Sequence, residues 1–461
     1  MSKHLAGEAM TAQEARIAAW LAGVFSLRIV GLFMILPVFA LYAEHLDGAT
    51  PALAGLAIGI YGFSQAIFQI PFGLLSDRLG RKRVIVVGLL VFAAGSVLAG
   101  VSHSIWGVIA GRALQGAGAI SAAVMALAAD LTREEHRTKV MAVIGVSIGV
   151  AFAVSMVAGP VLEGLIGVPG IFWLTAGLAL GGIAVVRYCV PDPLDARLHR
   201  DTQPVPAQFR RVLVDPQLLR LDLGIFVLHL VLTATFVAVP HALVEQAGIP
   251  VNRHWEIYLP TMVLGMAAMV PFVIIGEKKR RLKQVFVGAV ALLALAELGL
   301  VAFHAGAVGI SLVMFLFFTA FNLLEATLPS LVAKMAPPDA KGTAMGFYAS
   351  MQFLGAFCGG AAGGWIRGHY GLSAVFEFGV VATLVWLAAA WTMKNPRYLS
   401  SYLLNTGPLD ESAAAELARR LTDIRGVAEA VVIASDGVAY LKVDRHALDE
   451  PALLAHSRLP A

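Results

Sequence analysis

Twelve apolar stretches follow one another along the chain, at 17–43, 52–75, 83–101, 105–130, 139–165, 170–190, 219–243, 256–276, 284–304, 307–334, 344–366 and 372–393. A bilayer core about 30 Å thick needs roughly 20 apolar helical residues to cross it, and these stretches approach or exceed that length. Lipid offers a backbone N–H or C=O no partner, so such a run must close its hydrogen bonds internally, as a helix. With 58% hydrophobic and 14% charged residues in a chain of 461, the apolar surface exceeds what one water-soluble core hides. The expected fold is an all-α polytopic membrane protein.

The formal net charge of +4 sits in the connections rather than on one soluble face, which argues against nucleic acid as a partner. Arg78, Arg81, Lys82 and Arg83 fall between helices 2 and 3, and Arg133, Arg137 and Lys139 between helices 4 and 5. Arg197, Arg200, Arg210 and Arg211 follow helix 6, and Lys278, Lys279, Arg280, Arg281 and Lys283 follow helix 8. The alternate connections hold chiefly Arg253 and Arg367. By the positive-inside bias, both termini face the cytoplasm. The opening residues, with Lys3, Glu8 and Glu14, show no short apolar core followed by a cleavage site, so no removable signal peptide is expected. Cys189 and Cys358 fall in expected membrane helices and read as small apolar fillers; neither a disulfide framework nor a metal site is expected. No phosphate-binding P-loop, H-E-x-x-H pair or recognisable nucleophile setting occurs, which argues against an enzyme and against ATP-driven pumping.

An internal repeat organises the spans. Residues 71–88, PFGLLSDRLGRKRVIVVG, align at a displacement of 200 with residues 271–288, PFVIIGEKKRRLKQVFVG. Two six-helix halves in parallel orientation follow, 1–190 and 218–393, joined by a cytoplasmic linker at 191–217, with a solute site near the midplane and alternating access by rocking. After Met393 the composition becomes that of a small soluble domain, 398–461. A strand at 398–404, a helix at 410–423, a hairpin of 428–434 and 438–443 around Ser435-Asp436-Gly437, and a helix at 447–456 give a βαββα order. That order fits a ferredoxin-like α+β fold short of its last strand. The acidic helix face, Asp410, Glu411 and Glu416, is expected either to dock on the basic 6–7 or 8–9 connection or to stay solvated.

Gly73-Leu-Leu-Ser-Asp77-Arg-Leu-Gly80-Arg81-Lys-Arg83 resembles the signature that the major facilitator superfamily carries between its second and third helices. Arg28 within the first helix, the stretches Phe315–Leu331 and Lys341–Met345, and the terminal domain narrow the similarity to the bacterial YajR-type transporters, along nearly the whole chain. The resemblance implies a proton-driven efflux transporter of the bacterial inner membrane. Its partners would be a small solute, protons and membrane lipid, with no cofactor and the proton gradient as energy source. A membrane ligand sensor signalling through the terminal domain is the alternative.

Within that frame Gly73, Asp77, Gly80, Arg81 and Asp130 form a candidate conformational latch. The glycines permit a tight turn and close approach. Asp77 can face the positive end of a helix of the other half, helix 11 beginning near Gly342, a placement worth about 0.3–1 kcal/mol. Arg81 can pair with Asp130, as the resemblance also suggests. Arg112-Ala-Leu-Gln115-Gly116-Ala-Gly118 resembles the family's R-x-x-Q-G-x-G motif. A charge at such a depth costs roughly 2.5–3.5 kcal/mol on insertion scales, so Arg112 is expected to face a cavity or a partner, or to tie helices together through Gln115. Gly159, Pro160 and Gly164 resemble part of an antiporter motif in helix 5, with Glu163 and Ser155 standing where the motif has glycine. Arg28, His229 and Glu325 fall near the middle of helices 1, 7 and 10. With Arg112 and Gln115 they make the candidate proton or substrate pathway. Glu325, coupled to Arg28, is the first candidate proton site; His229 ranks after it, and Glu297 last, because helix 9 is peripheral in this fold. Many drug/proton antiporters carry an acid in helix 1, so Arg28 argues against polyspecific cation export.

Overall fold

The computed structural model describes residues 10–192, 205–396, 399–444 and 447–457. The first half opens with α1, Ala12–Phe33, which resumes after a break at Met34 and Ile35 as Leu36–Tyr42. Next come α2 (Pro51–Leu79), α3 (Arg81–Val101) and α4, in two pieces, Ile105–Ala117 and Ser121–Asp130. The helical stretch Glu134–Tyr188 holds α5 (134–166) and α6 (168–188), divided at Gly167 with φ 68°. The second half comprises α7 (Pro216–His241), α8 (Trp255–Lys278), α9 (Leu282–Phe303), α10 (Ala307–Met335), α11 (Lys341–Tyr370) and α12 (Leu372–Trp391).

Ten helical stretches among the described residues are long and apolar enough to cross a membrane. One of them contains both α5 and α6. α11 falls short on apolarity because eight of its 30 residues are glycine, yet at roughly 1.5 Å per residue it has ample length to cross. The twelve expected crossings are therefore all present. Even connections lie on one face, here the basic face, with residue 10 and the end of α12; odd connections lie on the opposite face. Val146, Leu180, Val263, Leu298, Val308 and Val385 point outward and exposed, as a lipid-facing surface requires.

Local chemistry sets the helix ends. Thr11 and Glu14 form a reciprocal capping box on α1, and Asp215 caps α7 ahead of Pro216. The α2–α3 turn consists of Gly80 alone, at φ 95°, where any side chain would be strained. Its counterpart 200 positions on, Arg280, also takes positive φ, 53°, so the repeat keeps the turn geometry without the glycine.

The halves meet through bare backbone. A Cβ on Gly55, Gly59 or Gly62 of α2 would lie 2.2, 2.6 or 2.4 Å from a carbonyl oxygen of α11. On its other side α11 packs as closely on α7, where a Cβ on Gly355 or Gly359 would lie 2.1 Å from a carbonyl oxygen. Glycine here serves helix contact.

The expected linker 191–217 is described only in part: 193–204, with Arg197 and Arg200, lie outside the described residues. Its end forms short turns at Pro206–Gln208 and Phe209–Leu213 that join the second half through Arg211 Nη1 to Asp339 (3.1 Å) and Val205 N–H to Thr343 Oγ1 (2.8 Å).

The terminal domain consists of β1 (Ser400–Asn405), α13 (Glu411–Asp423), β2 (Val427–Ile433), β3 (Val438–Val443) and α14 (Glu450–Leu454). The sheet is antiparallel in the order β1-β3-β2, around Leu404, Leu421, Leu441 and Leu453. The last helix is shorter than expected, and 398, 445–446 and 458–461 lie outside the described residues. The domain does reach the 8–9 connection, but not by its acidic helix. Asp410 caps α13 through the Ala413 N–H (2.7 Å), and Glu416 accepts from Arg420 one turn on (3.0 Å). The contact comes from the end of β3: Lys442 Nζ donates to the Lys334 carbonyl of α10, and Asp444 lies 3.8 Å from Arg280.

Candidate functional site

A cavity lies between the halves, walled by Leu32 and Phe33 of α1, Tyr61 of α2, Arg112 of α4, His229 of α7, and Gln352 and Phe353 of α11. In the first half the polar centre is Tyr61. Arg28 donates to its hydroxyl (2.6 Å), to Gln65 Oε1, and to Ser121 Oγ (2.8 Å). Arg112 lies over the Tyr61 ring, 5.0 Å from its centroid, and donates to Gln115 Oε1 (2.8 Å) and weakly to the Ala57 carbonyl (3.4 Å). Gln115 in turn donates to Ser96 Oγ (2.7 Å). Gly116 lets α4 approach this knot, since a Cβ there would lie 2.2 Å from the Tyr61 carbonyl.

In the second half His229 Nε2 lies 3.2 Å from Glu325 Oε1 and 2.8 Å from Gln352 Nε2, with Nδ1 3.3 Å from the Ile225 carbonyl. If Nδ1 carries a hydrogen toward Ile225, Nε2 accepts from the Gln352 amide, and Glu325 Oε1 lies 3.2 Å from that nitrogen with no hydrogen bond recorded. The expected coupling of Glu325 to Arg28 is not formed: the hydrogen bonds of Arg28 go to Ser121, Tyr61 and Gln65, and Glu325 has His229 instead. Each residue is held by helices of its own half, so the two polar centres face each other across the cavity. Phe152 of α5 stacks on Phe321 of α10 at 5.4 Å, with Phe33 edge-on to Phe152 and His229 5.9 Å from Phe321, an aromatic layer joining the halves.

On the basic face, Arg81 is the hub of the candidate latch. It pairs with Asp130 at 3.0 Å, with Asp77, and with Ser76 Oγ at 2.8 Å, and its side chain and that of Asp130 are almost fully buried. Gly73 fits against Ala122, where a Cβ would leave 3.0 Å. Among the described residues the pairing recorded for Asp77 is with Arg81 of its own half, rather than with the start of α11 near Gly342. Ion pairs across the halves appear on the opposite face instead. Glu44, at the end of α1, accepts from His241 of α7 (2.9 Å) and Arg367 of α11 (2.7 Å). Gly164 packs on Asn252 ahead of α8, and Gly159 on the Met34 carbonyl at the α1 break, so the helix 5 motif serves both contacts, next to Pro160. The halves are thus closed together on the opposite face.

Sequence reasoning singled out the charges and missed their neutral partners, Tyr61, Gln65, Ser76, Ser121 and Gln352. Gln65 and Gln69, one turn apart and joined at 2.6 Å, carried a signal, being paired amides inside an apolar span. Glu297, ranked last because helix 9 is peripheral, faces its neighbouring helices. That residue is fully buried, accepts from Thr235 of α7 (2.9 Å) and fits against Gly379 of α12, so α9 turns its acid inward.

A family model described as Major Facilitator Superfamily matches residues 21–357 and 278–420. The inner membrane transport protein YajR of Escherichia coli (strain K12) is 50% identical over 439 residues, covering 94% of this chain and 95% of that protein. The multidrug resistance protein MdtH of Aeromonas salmonicida (strain A449) is 24% identical over 363 residues, covering 78% of this chain and 90% of its own. A crystal structure of a bacterial homolog to the human lysosomal transporter Spinster, in an inward-facing and occupied conformation, matches with a TM-score of 0.68 at 13% identity, covering 83% of this chain and 97% of that one. At that identity the likeness concerns the fold.

Proposed function

From the premise that this chain belongs to the major facilitator superfamily, we propose that it exports a small solute across the bacterial inner membrane in exchange for protons, by alternating access. The observation that carries the reading is the titratable pair His229–Glu325 beside a cavity between two six-helix halves whose recorded ion pairs to one another, those of Glu44, lie on one face. A proton gained or lost at Glu325 changes the charge beside the cavity, which is what coupling solute to proton requires. The names of two relatives support the reading, an inner membrane transport protein and a multidrug resistance protein. The positive-inside bias of the basic connections supports a cytoplasmic location for their face and for the terminal domain. The conformation is then inward-facing, and no cofactor is called for beyond the proton gradient.

Purified protein in liposomes with an imposed proton gradient tests this. Gradient-driven solute movement accompanied by opposite proton movement is the expected result. Saturable binding with no flux of any solute would favour a membrane sensor acting through the terminal domain.

A further inference from the structure

Resting on the transporter reading, the structure assigns a substrate class: we propose that the cavity binds an amphipathic organic anion, its carboxylate or similar group held by Arg112 with Arg28 behind it. Both guanidiniums are almost completely buried, at 3% and 2% exposure. Every hydrogen-bond partner recorded for them is neutral: Ser121, Tyr61 and Gln65 for Arg28, Gln115 and the Ala57 carbonyl for Arg112. Arg28 Nε is buried with no partner at all among the described residues. Two cations therefore flank one tyrosine, inside a membrane protein, with no carboxylate recorded against either. Buried charges are ordinarily paired, and an unpaired one is costly in lipid.

Among the described residues no acid of the second half is recorded against either guanidinium. Glu325 lies against His229, Glu297 accepts from Thr235, Asp339 pairs with Arg211, and the buried Asp222 of α7 has no recorded contact with Arg28 or Arg112. The space that Arg112 lines is therefore where an anion would be accepted. A guanidinium presents a planar fork that fits a carboxylate by two parallel hydrogen bonds, and Gln352 across the cavity offers a further amide donor. The remaining walls, Leu32, Phe33, Ile58 and Phe353, are apolar, which selects an organic body over a small inorganic ion. A cationic solute would meet two like charges on the wall that Arg112 lines.

The test is equilibrium binding of radiolabelled phenylbutyrate to the full-length protein in nanodiscs, with phenylbutyramide and phenylbutylammonium, nearly matched in shape, as competitors. Saturable carboxylate binding is expected, with the amide and the ammonium competing at least about tenfold less well, a difference of about 1.4 kcal/mol. Arg112→Gln should lower carboxylate affinity by more than about tenfold, whereas Arg112→Lys should keep the preference for negative charge. Three results would overturn the proposal: no saturable carboxylate binding by the unaltered protein, competition by the amide or the ammonium as strong as by the carboxylate, or an undiminished charge preference in a monodisperse Arg112→Gln protein. The first two need no variant, so they decide the matter even where Arg112→Gln fails to assemble. Binding requires no gradient, so the two readings fail separately. Gradient-driven flux of a cation alone would sink the anion site and keep the transporter, and anion binding without any flux would do the reverse.

Discussion

In the proposed cycle a proton gained or lost at Glu325, 3.2 Å from His229, changes the charge beside the cavity. Glu325→Gln keeps the shape and an amide able to hydrogen-bond His229 but cannot titrate. Solute accumulation driven by a proton gradient should fall by more than about tenfold, the equivalent of about 1.4 kcal/mol, while exchange of labelled for unlabelled solute persists in the same liposomes. Normal coupling in a well-folded variant would move the proton site to another acid, with the buried Glu297 next in line. Arg81 is the second residue on which much turns. Breaking a buried ion pair typically costs about 3–5 kcal/mol, and Arg81→Ala removes the partner of Asp130 and Asp77 together. Asp77→Asn should be the milder change, because Asp77 is 28% exposed and Arg81 keeps Asp130. Accessibility of cysteines placed at the two cavity mouths, after replacement of Cys189 and Cys358, reads the population of each state. Arg81→Ala should change it several-fold, and equal labelling in both variants and the unaltered protein would remove the latch role.

At the scale of the helix, adjacent glycines of α11 have separate duties. Gly360 faces α2 of the other half, where a Cβ would lie 2.6 Å from the Gly55 carbonyl oxygen; Gly359 faces α7 of its own half, at 2.1 Å from the Leu230 carbonyl oxygen. Gly360→Ala is therefore expected to oppose closure of the opposite face and raise cysteine labelling there, with assembly intact. Gly359→Ala should lower thermal stability by about 1–3 kcal/mol, the usual range for overpacking, without a comparable shift between states. The same glycines show which elements were legible. Lipid penalises an unclosed backbone so strongly that apolar length alone located all twelve crossings. The α1 break was legible in principle, because Pro37 has no N–H to give the Phe33 carbonyl. The break of α4 at Gly118 to Ile120 is set by packing, as Gly118 lies against the Gly88 carbonyl of α3, a tertiary contact with no local signature. Site charges were legible for the same reason as the spans. Their pairings depend on how each helix is rotated, which is why Arg28 was sought beside Glu325 and lies beside Tyr61.

On the scale of the whole molecule, the polar contacts recorded among the described residues between the terminal domain and the membrane part are few, and deletion of residues 398–461 should leave membrane assembly intact while altering the rate of flux. Loss of assembly on deletion would contradict this division. Lys442 supplies a handle on the contact: burial pushes its pKa from the usual 10.5 down to about 8. Below pH 8 the amine is protonated whether docked or free. Between about 8 and 10.5 the free form holds more proton than the docked one, so docking should tighten as pH rises through that window. Lys442→Met should flatten the dependence, measured as protease resistance of the domain junction from pH 7 to 10. The site of this contact has a larger consequence. Lys334 gives its backbone carbonyl to Lys442 and its ammonium to Glu277 of α8, at 2.8 Å, where the repeat places the counterpart of Asp77. One residue thus belongs both to the domain's foothold and to a tie between two helices of the second half. If docking favours one arrangement of those helices, thermodynamic reciprocity requires that arrangement to favour docking by the same factor. Whatever engages the domain from the aqueous side would then read the transport cycle as much as it governs it.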